Sequence, residues 1–343
     1  MITGDNGITA AAIAKKIGIK NCENIITGDD LDKMDDAKLA ECIKDVNIFS
    51  RVIPEHKMRI VKAFKENGEV VAMTGDGVND AAALKYADIG IAMGKRGSEV
   101  SREAADLILL DDNFSTIVST IRDGRRIYDN IRKAIGYIFT IHIPIAFAAL
   151  LAPILNINPT SLLLLPLHVV LLELVIDPTC SIVLERQPAE SNVMKRKPRD
   201  TKENILNRRT LIKSVIQGLV IFAASFGMYV FTLNNNPENV EVARSMGIVI
   251  IILSNLFLVQ VNSSERDSAL YSISRLRKDK VMWAVCALTI LLVGIILYTP
   301  AKEFLKMASL SGNQILTVIV VSAVSVFWYE IVKGFKRIKQ KEV

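Results

Sequence analysis

The hydrophobic pattern of the chain changes character near residue 130. Before that point short apolar runs alternate with amphipathic stretches of helical period, the alternation expected of a parallel sheet with crossover helices. Residues 1–5 read as a strand end followed by Gly-Asp, and Ile8 to Ile19 as an apolar-periodic helix ending at Gly18. Ile25-Ile26 is a strand with a Thr-Gly-Asp turn at Thr27-Gly28-Asp29, Leu31 to Ile43 a surface helix, and Asn47-Ile48-Phe49 the next strand. Pro54 then precedes a helix from about Glu55 to Asn67, because proline fits a helix start, where its missing N–H has no partner to lose. Val70-Val71-Ala72 leads another strand into Met73 to Asp80. Ala81 to Ala87 is helical, Ile89 to Gly94 strand and turn, Ser98 to Asp106 helical, and Leu107 to Leu110 the last strand. Asn113 to Lys133 predicts a helical stalk, since no Gly/Ser/Pro-rich linker interrupts it.

After residue 133 the apolar runs reach the roughly 20 residues that span a bilayer. Six spans are expected, at about 134–155, 162–184, 211–233, 245–262, 281–299 and 314–333. The connection from Glu185 to Arg209 carries eight Lys/Arg, that from Ser263 to Lys280 five, and the tail from Lys333 five. The alternate connections 156–161, 234–244 and 300–313 carry none, one and two. By the positive-inside rule the residues before the first span, the basic connections and the C-terminus share the cytoplasmic side, a parity that needs an even number of crossings. The expected organisation is thus 1–112 as an α/β domain of the Rossmann type, 113–133 as stalk and 134–343 as an all-α membrane domain.

Composition agrees with this division. Half of the 343 residues are hydrophobic and 23% charged, an unusual balance for a soluble protein. The net charge of +6 does not point to nucleic acid, because the basic residues collect beside the apolar runs. Cys22, Cys42, Cys180 and Cys286 have neither metal nor disulfide spacing and read as reduced thiols. Met1-Ile2-Thr3-Gly4-Asp5 is strand and turn chemistry, so no signal peptide is expected.

The densest chemistry lies in Thr74-Gly75-Asp76-Gly77-Val78-Asn79-Asp80. Two carboxylates and an amide fall just past a short buried strand, where an open α/β sheet places its ligand crevice. Such oxygen ligands suit Mg²⁺, which takes one or two carboxylates and keeps several waters. The alternative is a strand, a glycine turn and a capped helix without ligand. Lys57, early in its helix and near a strand end, could reach a phosphate; alone it would be an ordinary solvated lysine. The second Thr-Gly-Asp, at Thr27, reads as turn only. In the membrane part, Glu173 and Asp177 lie four residues apart on one helical face. Pro178 follows and should free the carbonyl of Leu174. This oxygen-rich set suits a hard cation or a proton-carrying pair, against a structural alternative in which the carboxylates pair with His142 or His168. His142 itself reads as ligand or packing residue, and Asn255 and Gln260 as donors to interhelical hydrogen bonds.

With these motifs in place, the whole chain resembles the C-terminal half of a P-type cation-transporting ATPase, closest to the branch of the calcium pumps. The match of Thr74 to Asp80 to the family's hinge motif is highly specific. The resemblance implies a partial dehalogenase-like domain followed by a six-helix transmembrane bundle, ATP and Mg²⁺ as cofactors, and a transported cation and the lipid bilayer as partners. It implies that Asp76 holds Mg²⁺, that Thr74 and Gly75 belong to the same cofactor-binding turn, and that Asn79 and Asp80 order the phosphoryl group. Thr3, Gly4 and Asp5 would line the phosphorylated aspartate, Lys57 neutralise the transferred group, and Arg51 approach the nucleotide. The family's Asp-Lys-Thr-Gly phosphoacceptor signature is absent from this sequence. The chain is therefore expected to lack the first sheet strand, the nucleotide-binding and actuator domains and four earlier spans, and to neither form an aspartyl-phosphate nor pump alone. An N-terminal half is the implied partner, and the plasma membrane the implied location. In the membrane, Asp177 matches a ligand position of the family. Ile145 stands where calcium pumps carry a carboxylate, Glu173 where they carry an amide, and His142 near one. Calcium, manganese, magnesium, potassium and a proton-coupled cycle stay open. Six spans and the missing nucleophile argue against a soluble dehalogenase-like phosphatase. A membrane scaffold binding Mg²⁺ or phosphate without catalysis is the alternative of another class.

Overall fold

The computed structural model describes residues 1–200, 203–264 and 279–341; the side chains of Asp177, Cys180, Ser181 and 336–341 lie outside the described residues, as does most of the basic connection 263–280. Two compact units, Met1–Ile121 and Arg122–Val343, divide the chain.

The first unit is an α/β domain whose strands pair in two groups. Strands β1 (Ile25–Thr27) and β2 (Ile48–Ser50) run parallel, with Ile25 opposite Ile48 and Thr27 opposite Ser50. Ile2 makes a single parallel bridge to Phe49 on the far side of β2. Strands β3 (Ala72–Gly75), β4 (Ile89–Met93) and β5 (Leu107–Leu109) form a second parallel group in the order β3-β4-β5. Parallel pairing demands a crossover between strands. The helices are α1 (Gly7–Lys16), α2 (Gly28–Lys33), α3 (Asp36–Cys42), α4 (Pro54–Glu66), α5 (Ala81–Tyr86) and α6 (Glu99–Ala104). Each strand group has its own core. Leu31, Leu39, Phe49 and Ile60 are sealed around β1 and β2, while Val61, Met73, Ala83 and Leu84 close over β3. Helix α4 serves both, since adjacent residues Ile60 and Val61 point into different cores. Burying each of these large aliphatic side chains contributes about 1.5–3 kcal/mol.

Helix α4 is fixed at its start by the buried His56. The Ile53 N–H donates to its Nδ1 at 3.4 Å, so the ring proton sits on Nε2 and donates to Asp32 Oδ1 at 2.8 Å. Thr27 and Asp30 form a capping box that starts α2 directly after β1, so this Thr-Gly-Asp is spent on a helix cap.

Among the described residues six helices are long and apolar enough to cross a membrane: Phe114–Ile154, Pro159–Ile176, Arg208–Asn235, Val240–Asn262, Lys280–Tyr298 and Gly312–Phe335. They belong to α7 (Phe114–Ile154), α8 (Pro166–Pro178, preceded by a 3-10 turn), α9 (Arg208–Asn235), α10 (Val240–Asn262), α11 (Lys280–Tyr298) and α13 (Gly312–Lys341); the one-turn α12 (Ala301–Phe304) lies between the last two. At Pro178 the α-helical pattern stops. The Thr179 N–H bonds back to Ile176, and the chain continues as a π-helical segment, Thr179–Leu184. Proline cannot donate to the i−4 carbonyl, and the widened turn absorbs the missing bond. Every residue from Ala243 to Ile252 of α10 is buried, and a helix apolar on all sides sits in the middle of its bundle. Close helix contact uses small residues: a Cβ on Gly218 of α9 would lie 2.6 Å from the Thr140 carbonyl oxygen of α7.

Candidate functional site

Strand β3 ends at Gly75, and the chain turns through Asp76 and Gly77 into a 3-10 turn, Val78–Asp80. Asp80 folds back over this turn. Its Oδ2 accepts from the N–H groups of Asp76 and Gly77 at 3.3 and 3.2 Å, and its Oδ1 receives the Lys57 ammonium at 2.6 Å. A side chain at position 75 would prevent this, because a Cβ there would come 2.5 Å from the Asp80 Cβ. Both Asp80 oxygens are thus committed, and the residue is buried. A buried carboxylate held by a cation and two N–H groups orders the turn and pins Lys57 at the carboxyl end of β3.

Asp76 is arranged differently. Its backbone carbonyl accepts from the Ser98 N–H at 2.8 Å and the Ser101 hydroxyl at 3.2 Å. Its carboxylate is exposed, with no hydrogen bond or ion pair among the described residues. The backbone is fixed and the carboxylate is free to take a ligand. One available carboxylate beside a lysine fits Mg²⁺, which fills the rest of its shell with water and phosphate oxygens; Asp80, with both oxygens occupied, does not offer a second.

These groups open into a cavity of about 600 Å³ within the first unit. Lys57, Thr74, Gly75, Asp76 and Asp80 line it, and so does Arg96, whose side chain also reaches Asp112 at 3.3 Å. Arg96 went unnoticed in the sequence, although its place just past the carboxyl end of β4 is the signal that could have found it. The cavity separates the two strand groups. Met1, Ile2 and Phe49 form one wall, while Ala72, Met73 and Thr74 of the unpaired edge of β3 form the other. Thr3, Gly4, Asp5, Arg51 and Asn79 do not line it. Thr3 to Asp5 instead runs along Phe49 to Val52, with the Thr3 N–H on the Phe49 carbonyl at 2.9 Å and the Arg51 N–H on the Asp5 carbonyl at 3.2 Å. Arg51 has a left-handed backbone, φ 51°, and Gly4, Asp5, Arg51 and Asn79 are exposed.

In the second unit Glu173 Oε1 meets His142 Nε2 at 3.1 Å, while His142 Nδ1 contacts the Ile138 carbonyl at 2.8 Å. Both ring nitrogens thus face oxygens, one from a side chain and one from the backbone. Asp177, one turn from Glu173, has its side chain outside the described residues. His168 takes no part: it accepts from the Leu165 N–H at 3.0 Å and donates to the Leu305 carbonyl at 2.7 Å. Of the interhelical bonds expected of Asn255 and Gln260, only that of Gln260 is observed among the described residues. Asn255 is buried with neither amide atom bonded, and Gln260 reaches only the Met282 sulfur, at 3.5 Å. Their helix packs apolar residues on every side, which leaves those amides few acceptors.

A small parallel-sheet domain with this turn, followed by six membrane-length helices, matches known sequence families over both parts. Residues 161–335 match the family described as cation transporting ATPase, C-terminus, and residues 1–88 that of haloacid dehalogenase-like hydrolases. The chain belongs to the cation-transporting ATPases of the P type. It is 37% identical over 328 residues to the calcium-transporting ATPase of Bacillus subtilis (strain 168), covering 95% of this chain and 36% of that protein. It is 34% identical to calcium-transporting ATPase 1 of Bacillus cereus (strain ATCC 10987 / NRS 248), over 98% of this chain and 39% of that protein. With the human calcium-transporting ATPase type 2C member 1 the identity is 31%, over 99% of this chain and 37% of that protein. The chain therefore spans little more than a third of these relatives.

Proposed function

We propose that the chain is the C-terminal portion of an ATP-driven calcium pump, active only together with a segment that supplies the phosphorylated aspartate. The observation that carries this reading is the cavity between the two strand groups. It is walled by two unpaired strand edges and ends at Lys57, Asp76 and Asp80. A strand bearing an aspartate, entering parallel to β3, would present its carboxylate at that end. Lys57 then neutralises the charge of the transferred phosphoryl group, Asp80 holds Lys57 and the turn, and Asp76 takes the Mg²⁺. When bound, the metal draws charge from the phosphate oxygens. Thr74 and Gly75 carry the turn; Thr3, Gly4 and Asp5, which run along Phe49 to Val52 outside the cavity, are assigned to line the phosphorylated aspartate, Asn79 to order the phosphoryl group with Asp80, and Arg51 to approach the nucleotide. In the membrane, Glu173, Asp177 and His142 form the transport site, with the His142–Glu173 contact opening to admit the cation. The names of the relatives favour calcium. The head and the basic connections are assigned to the cytoplasm of a cell whose plasma membrane holds the protein.

The test is co-expression with an N-terminal segment, carrying Asp-Lys-Thr-Gly and four spans, from the Bacillus subtilis relative. Incubation with γ-labelled ATP should give acid-stable label on that segment and none on the 343-residue chain, and Lys57→Met or Asp76→Asn should cut it by about 10²-fold or more. Glu173→Gln should shift the calcium dependence. Label on the chain alone, or no label on a segment that copurifies with it, would sink the proposal.

A further inference from the structure

A second polar cavity, of about 440 Å³, lies entirely within the second unit, between the start of α7 and the connection from Val193 to Glu203. Its helix wall carries Arg125, Tyr128, Asp129 and Arg132, spaced to lie on one face. The connection is tied to that face. Arg125 Nη1 donates to the Val193 and Arg196 carbonyls at 2.9 and 3.0 Å, Arg196 pairs with Asp129, and the Arg199 guanidinium stacks 4.4 Å over the Tyr128 ring while bonding its hydroxyl at 3.1 Å. Asn130 strengthens the junction from the side, its Nδ2 donating to the Glu185 and Gln187 carbonyls.

The rim carries more positive charge than its carboxylates cancel. Five cationic side chains line it, with Lys197 as the fifth, against Asp129, Asp200 and Glu203, and Asp129 is already taken by Arg196. Lys197 is exposed and has no ion pair or hydrogen bond among the described residues. Among the described residues Arg125 uses only Nη1 and Arg132 spends only a long 3.4 Å bond on Thr210, so both guanidinium groups keep unspent donors at the cavity. Arg132 stands two residues before the apolar run that begins at Ala134, and the same helix exposes Ile131 and Ile138. A preformed cluster of donors beside an exposed apolar surface is complementary to a phosphate carried on an acyl chain. Paired guanidinium groups suit phosphate oxygens, and basic pockets at helix ends hold anionic headgroups.

We propose that this groove binds the phosphate of an anionic glycerophospholipid, bridging helix α7 and the connection that follows α8. Bulk attraction of basic residues to an anionic membrane is a different matter, and Lys195 separates the two: it lies in the same connection, is exposed, and does not line the groove. The full chain, purified in a neutral detergent, would be titrated with dihexanoyl phosphatidic acid, dihexanoyl phosphatidylcholine or inorganic phosphate, with binding followed by native mass spectrometry and thermal shift. Saturable binding of the phosphatidic acid is expected, with a Kd at least about tenfold below that of the other two. Lys197→Glu combined with Arg132→Gln should raise that Kd by about tenfold or more, and Lys195→Glu by less than about threefold. Lys197→Met, which removes one unpartnered charge from an exposed position, gives the same direction should the double variant not fold. Equal weakening by Lys195→Glu, or inorganic phosphate binding as tightly as the lipid, or no saturable binding, would each overturn the proposal.

Discussion

Asp80 and Arg244 are both charged, both buried, and satisfied in opposite ways. Asp80 finds its partners nearby: two N–H groups three and four residues back, and one cation on the neighbouring helix. Arg244, in α10, pairs with no carboxylate among the described residues. Its guanidinium donates to the carbonyls of Thr160, Leu162 and Lys306 at 2.9, 2.9 and 2.7 Å, and so joins two connections that lie 62 to 84 residues away. His168 bonds the next carbonyl, Leu305, and Ser245 accepts from the Ala308 N–H. The head site thus arranges opposite charges so that one carboxylate, Asp76, stays free for a ligand. At Arg244 the membrane unit neutralises a buried charge with backbone dipoles instead. One arrangement prepares chemistry; the other is a clasp.

Breaking the clasp should have the largest effect. Arg244→Met takes the shared donor from three part-buried carbonyls and should cost about 1–3 kcal/mol, seen as a drop in the melting temperature of the detergent-solubilised chain. Arg244→Lys, which keeps the charge but not the planar fork, should recover only part of the loss. An unchanged melting temperature in Arg244→Met would mean that the two connections are held by other contacts.

The head offers a sharper contrast. Gly75→Ala drives a methyl group to 2.5 Å from Asp80 and should destabilise the first unit by about 1–3 kcal/mol. Gly77→Ala, whose nearest neighbour is 3.7 Å away, should be nearly silent. Limited proteolysis within residues 1–121 reads both. Equal sensitivity of the two would show that the Asp80 fold-back does not hold the turn.

Legibility followed the same division. Asp76 and Asp80 stood out because they fall within five residues of one turn, whereas Asn79, expected beside them, is exposed and off the cavity; the α/β and membrane classes were legible because strand, helix and span patterns differ. Arg96 is harder to see, since its place past the end of β4 becomes a cavity position only through the packing of β4 beside β3. Arg244 looked like one charge in a sparsely charged connection; its three acceptors are set by tertiary structure alone. Asn255 was misjudged because a polar residue at membrane depth was expected to find a partner, and its helix offers none. That error is itself testable. If the amide is merely buried, Asn255→Leu should leave stability unchanged or raise it by up to about 1 kcal/mol, by removing two unpaired polar atoms. A loss instead would place Asn255 among groups that hold a ligand, and the membrane unit would then resemble the head more closely than the clasp suggests.

The smallest expected effect concerns the acid limb of stability. Asp88 leads into β4, and its Oδ2 accepts the Val71 N–H at 2.9 Å while Lys65 lies 3.1 Å from its Oδ1. The backbone hydrogen bond, seconded by Lys65, holds its carboxyl below the ordinary aspartate value of 3.8. A depressed value means that the contribution is fully present above pH 3.8 and is lost as pH falls through the lower, folded value. Asp88 is partly exposed, so solvent screening limits the contribution to roughly a fraction of 1 kcal/mol. Asp88→Asn should therefore lower stability slightly at neutral pH, and the gap from the parent chain should close on acidification below pH 3.8. A gap that stays constant with pH would assign the loss to altered packing at the start of β4. Lys65 separates the causes further: Lys65→Met should remove the smaller, salt-sensitive share and leave the Val71 bond, so its effect should fade as ionic strength rises while that of Asp88→Asn persists.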